Sequence, residues 1–139
     1  HYGLLCGLDC SDLLAAGMPD GSEDDFDREI KTTDWWGYTW PLPYHFNQVV
    51  YRTGSISAKG GWFAGEPRVQ VRQHFQWKDV TGVTITPSYP ASEKARAHAI
   101  YKFHLPDDTW GDGVRIIGTP GGRSHFTSIS QLAVYNTKP

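Results

Sequence analysis

Gly111–Tyr135 reads GDGVRIIGTPGGRSHFTSISQLAVY. Two apolar runs, Val114–Gly118 and Thr127–Tyr135, flank a Thr-Pro-Gly-Gly turn, and the turn leads at once into Arg123, Ser124, His125 and Phe126. Glycines and Pro120 set such a turn through the backbone angles they allow. The flanking runs have strand character and supply a rigid frame on which a polar-aromatic loop can be held. In the second run Ile129 is out of phase with Leu132 and Val134, which predicts a bulge near Ser130.

The rest of the chain repeats the unit of strand, loop and strand. Arg68–Gln73 alternates, with Val69 and Val71 on one face and Arg68, Gln70 and Arg72 on the other, as a half-buried strand does. A tight connection at His74–Gln76 leads to an expected partner strand, Trp77–Thr86. Ile100–Leu105 alternates again. Thr33–Leu42 is an aromatic strand expected to end at Pro41 and Pro43. His45–Thr53 reads as a strand and Gly3–Leu8 as a short first one. Helix is confined to single turns, at Ser11–Gly17 between Ser11 as N-cap and Gly17 as stop, and within Ser92–Ala97. About eight main strands with Gly/Pro turns predict an all-β fold, a β-sandwich or jelly roll, with 1–139 as a single domain.

If successive strands run antiparallel, alternate connections fall at opposite ends. The loops Ser11–Thr33, Gly54–Gly65, Pro87–His98 and Thr119–Phe126 then share one end, and the turns Pro43–Phe46, His74–Gln76 and Pro106–Asp112 share the other.

Composition excludes several functions. A formal net charge of -2 and a pI near 6.3 argue against nucleic acid as partner, because phosphate binding needs a basic surplus. No apolar run is long enough to span a membrane. No GxSxG, HExxH, P-loop or CxxC pattern occurs, and the acid pairs Asp24/Asp25 and Asp107/Asp108 lie in loops with no cleft setting. Two cysteines, Cys6 and Cys10, are too far apart for a disulfide in extended chain, although a helical turn between them could close the gap; free thiols are the favoured reading. A free N-terminal His1 could bind copper through its amine and imidazole, a remote enzymatic alternative. Six Trp and seven Tyr exceed what one small core holds, so some aromatics are expected at the surface as binding groups.

The runs WWGYTWPLPYHFNQVVYRTG, GGWFAGEPRVQVRQHFQWKDV, TPSYP, GVRIIGTPGG and FTSISQLAVY resemble the discoidin-like domains of the coagulation factor 5/8 type C kind. These are galactose-binding-like jelly rolls that include carbohydrate-binding modules of family 32. The resemblance runs from Asp20 onward and rests mainly on framework residues. It implies a structural calcium after the first strand, with Asp20-Gly21 as the family's Asp-Gly. Gln131 stands where the family commonly has Glu, which costs one charge, and Asp24, Asp25 or Asp27 could compensate.

A sugar ring offers C–H bonds on its face and hydroxyls around its rim, so it needs an aromatic platform with fixed polar groups beside it. The candidates on the long-loop end are Trp62 between glycines, Phe63, Arg123, His125, Trp35, Tyr89 and Arg96. The expectation is a non-catalytic carbohydrate-binding module of a secreted or extracellular protein. It would recognise a glycan and carry an attached catalytic domain to it. The alternative on the same fold is an adhesion module for protein or lipid, with Trp62-Phe63 as an apolar spike.

Overall fold

The computed structural model describes residues 33–90 and 93–136, together with the backbone of three short strands near the N-terminus. The strands in chain order are β1 Leu4–Leu5, β2 Leu8–Asp9, β3 Glu23–Asp24, β4 Asp34–His45, β5 Gln48–Arg52, β6 Arg68–Gln73, β7 Gln76–Asp79, β8 Thr84–Thr86, β9 Ile100–His104, β10 Trp110–Gly118, β11 Ser128–Ile129 and β12 Gln131–Tyr135. Two four-stranded antiparallel sheets face each other, in the orders β4-β10-β6-β7 and β12-β5-β9-β8. This is the expected β-sandwich jelly roll.

The core follows from period-two alternation. Register places Tyr38, Val114 and Val71 in one row across the first sheet, and Trp36, Ile116 and Val69 in the next. All six are buried. In the facing sheet Tyr51 pairs with Leu132 on one side and Tyr101 on the other, and Val49 with Val134 and Phe103. The two layers are tied by a polar contact as well: the Tyr38 hydroxyl donates to the Leu132 carbonyl across the sandwich.

Several expectations need correction. Gly3–Leu8 is not one strand: β1 and β2 pair antiparallel, Leu5 opposite Leu8, so the chain reverses between them. The aromatic strand does not stop at Pro41 but continues to His45. β4 is an edge strand, and a proline is tolerated where no ladder partner needs its missing N–H. Trp77–Thr86 is two strands, not one. β7 closes a hairpin in the first sheet, the chain crosses over at Gly82, and β8 joins the second sheet. The interruption expected at Ser130 is a change of partner: β11 pairs with β3 before it and β12 with β5 after it. The turn within Ser92–Ala97 is a 3-10 turn at Glu93–Ala95. The Ser11–Gly17 turn and both cysteines lie outside the described residues.

Candidate functional site: a hollow between two glycine-rich loops

Three of the four loops expected at one end, Gly54–Gly65, Pro87–His98 and Thr119–Phe126, do gather there, and Ser11–Thr33 lies largely outside the described residues. Five backbone hydrogen bonds stitch the segment after β5 to the segment after β10: Lys59 O to Ser124 N, Gly61 N to Phe126 O, Gly61 O to Ser128 N, Trp62 O to Gly121 N, and Ala64 N to Thr119 O. The loop after β8 joins them from below. Its Tyr89 hydroxyl accepts the Phe63 N–H at 2.7 Å, and the Thr53 hydroxyl donates to the Arg96 carbonyl at 2.6 Å. At the opposite pole Phe46 N donates to Thr109 O, and the Asn47 amide donates to Asp107 at 3.0 Å.

A polar relay fixes the base of the Thr-Pro-Gly-Gly loop. The buried Trp36 indole donates to the Thr127 hydroxyl at 2.9 Å, and that hydroxyl donates to Asp34 at 2.7 Å. Two glycines then let aromatic rings lie on backbone. A side chain on Gly121 would meet the Trp62 ring at 2.1 Å, and one on Gly60 would meet the Phe126 ring at 2.6 Å. Each ring is therefore held by the opposite loop, so both loops must be in place before either ring is.

Between them opens a hollow of about 430 Å³, walled among the described residues by Ser57, Lys59, Arg123, Ser124 and Phe126. That volume falls in the small-molecule range of roughly 300–1,000 Å³. Lys59 and Arg123 are exposed, and neither side chain makes an ion pair or hydrogen bond with a described residue. Phe126 supplies the apolar wall and the two serines supply hydroxyls.

The residues singled out from sequence fall in three places. Arg123 lines the hollow. Trp62 stands beside it, half-buried against Gly121, with its indole N–H directed to the Ser57 carbonyl at 3.3 Å. His125 is half-buried in the same loop, in the left-handed region with φ 51, and is not among the described walls. Phe63 belongs to the core: it is fully buried, edge-on to Tyr51 and Tyr89 at 6.0 and 6.4 Å. Tyr89 is buried too, and burial pushes its phenol well above the ordinary 10.0, so it stays neutral. Arg96 is exposed beside a different cleft, with Pro87, Lys94 and Tyr101. Trp35 faces outward from β4, where the Arg115 guanidinium sits over it at 5.0 Å and over Trp77 at 4.2 Å.

Ser57, Lys59, Ser124 and Phe126 were missed as site residues. The signal for Phe126 was present, since it closes the polar stretch that follows the Thr-Pro-Gly-Gly turn. Lys59 sits directly before Gly60-Gly61 and is brought in by the same turn that presents Trp62. Of the calcium donors, Asp20 and Asp25 lie outside the described residues. Gln131 is a half-buried neutral amide at the head of β12, directly across from Arg52. Among the described residues no group of three or more His, Cys, Asp or Glu comes together.

No protein-family model matches the chain, and no curated protein matches it. Among solved structures it is similar to the Clostridium perfringens domain CpGH89CBM32-5 in complex with GalNAc-β-1,3-galactose, at a TM-score of 0.60 and 12% identity, over 84% of this chain and 76% of that one. A candidate alpha-L-fucosidase of Bacteroides thetaiotaomicron overlaps more loosely, at a TM-score of 0.45 and 14% identity, over 78% of this chain and 21% of that one. The sheet order, the shared loop end and the first of these overlaps agree that the chain has a jelly-roll β-sandwich fold like that of the Clostridium perfringens domain.

Proposed function

We propose that the chain is a non-catalytic carbohydrate-binding module that recognises a glycan in the hollow walled by Ser57, Lys59, Arg123, Ser124 and Phe126. The observation that carries this reading is the wall itself. An aromatic ring held on backbone stands beside two hydroxyls and two cations with unused donors. A pyranose presents the complementary set, C–H bonds for the ring and hydroxyls for the donors. The overlap with a carbohydrate-binding module that was solved with a disaccharide supports the same reading. A site this open binds a single sugar at about 1 mM, or roughly -4 kcal/mol. Retention on a polymer, and delivery of an attached catalytic domain, then come from effective concentration. Such a role belongs to a secreted or extracellular protein.

The lipid alternative loses its main feature. Phe63 is buried and Trp62 lies against Gly121, so the pair does not form an exposed apolar spike. Among the described residues no helix is long and apolar enough to cross a membrane.

A glycan array followed by affinity electrophoresis on the best polysaccharide tests the proposal. Wild type is retarded, and Arg123→Ala runs as it does in a gel without polysaccharide while keeping its melting temperature. Binding by Arg123→Ala equal to wild type would place the site elsewhere.

A further inference from the structure

We propose that the hollow selects an anionic sugar residue, one that carries a carboxylate or a sulfate; this rests on the glycan reading above. Among the five described walls, two are cations and none is a carboxylate. Three of the fold's other arginines are engaged by the protein itself. Arg72 pairs with Asp112 at 2.8 Å, Arg68 with Asp79 at 3.4 Å, and Arg115 lies over two indoles with its Nε donating to Gln70 at 2.8 Å. Arg123 and Lys59 have no such partners among the described residues, and they face one space.

The chain as a whole is slightly acidic, so these two charges are not a sample of a general positive surface. An anion placed in the hollow would meet both cations at once. The division of labour follows from their chemistry. The guanidinium is a planar fork that matches two oxygens of a carboxylate or sulfate at once, while the ammonium acts as a mobile point charge. Ser57 and Ser124 are then left for ring hydroxyls and Phe126 for the C–H face. The loop geometry helps, because the Ser124 N–H bonded to the Lys59 carbonyl keeps the two cation-bearing segments together whether or not a ligand is bound.

The test is affinity electrophoresis in gels that contain polygalacturonate, dextran sulfate, neutral galactan or single-stranded DNA. Melting curves confirm that each variant is folded. Wild type is expected to be retarded by at least one of the two acidic polysaccharides and only weakly by galactan; which of the two prevails names the anion. Arg123→Gln and Lys59→Gln should each weaken that retention about tenfold, the scale of one charged hydrogen bond. Arg123→Lys should recover part of it. Salt at about 1 M, where the screening length is about 3 Å, should weaken it as well. Equal or stronger retention by galactan overturns the anionic selectivity and leaves the glycan site standing. Equal retention by single-stranded DNA overturns it in favour of unselective polyanion binding. Retention by no polysaccharide overturns both readings together.

Discussion

The chain sets an arginine on each side of the Thr-Pro-Gly-Gly turn, and the two end in opposite circumstances. Arg115 projects from the outer face of β10. Its guanidinium lies 4.2 Å from the Trp77 ring centre and 5.0 Å from that of Trp35, and its Nε donates to Gln70, which in turn donates to Asp79. Arg123 stands on the rim with an aromatic ring as fellow wall and no side-chain partner among the described residues. Residue type and aromatic company are similar, yet one set of donors is occupied by the fold and the other is open. Cation and aromatic together do not set the two arginines apart; vacancy of the donors does. The outer sheet face, with its two tryptophans, reads as a surface the protein has closed on itself.

The strongest way to break that contrast is Arg115→Ala. A partly desolvated cation over an indole contributes roughly 0.5–2 kcal/mol. The stem covers apolar surface, and the Gln70 bond adds about 1 kcal/mol. The variant should lose about 2 kcal/mol in urea unfolding and keep its full glycan retention. Loss of retention with unchanged unfolding would mean that the sheet face is the ligand surface.

Tyr89 sharpens the contrast from inside the rim. Sequence put it among ligand contacts, but its hydroxyl accepts the Phe63 N–H and its ring meets Tyr101 at 5.0 Å. Tyr89→Phe leaves that buried N–H without an acceptor, at a cost of about 1–2 kcal/mol. Burial raises the phenol above its unfolded value, mainly by desolvation, with Tyr101 adding to it and the Phe63 bond opposing. A raised acid means that the folded state holds its proton after the unfolded chain has released one. The stabilisation is therefore complete below the ordinary 10.0 and drains away as pH rises above it. The melting temperature should fall above that pH in wild type and fall less in Tyr89→Phe. Tyr101, raised by its own burial, keeps part of the slope. Identical alkaline slopes would show that Tyr89 is not the group that titrates.

The fold was legible because it is written in alternation. Val69/Val71, Tyr101/Phe103 and Val114/Ile116 each announce which face is inward, and the count of strands between loops places Gly54–Gly65 beside Thr119–Phe126 before any coordinate is known. Crossing points were less legible. Nothing in WKDVTGVTIT says that the chain leaves one sheet and enters the other near Gly82, because both halves have strand composition. The site was half legible for a related reason. Pattern shows that Trp62-Phe63 sits on a loop at the right end, but in adjacent residues only packing decides which ring goes in. Here Phe63 fills the space under Tyr89, and Trp62 turns onto Gly121. Trp35 and Trp36 divide in the same way, with Trp36 inward to Thr127 and Trp35 outward to Arg115.

The smallest expected change in stability belongs to Arg123→Ala, and it bears most closely on the contrast between the two arginines. An exposed side chain with no described partner has little to lose, so the unfolding free energy should move by less than about 0.5 kcal/mol. If Arg123→Ala instead destabilises the protein as much as Arg115→Ala, then the rim arginine holds the loops together and its donors are not free. Placing the two variants side by side in one urea series therefore decides whether the hollow is a vacancy kept for a ligand or another part of the scaffold.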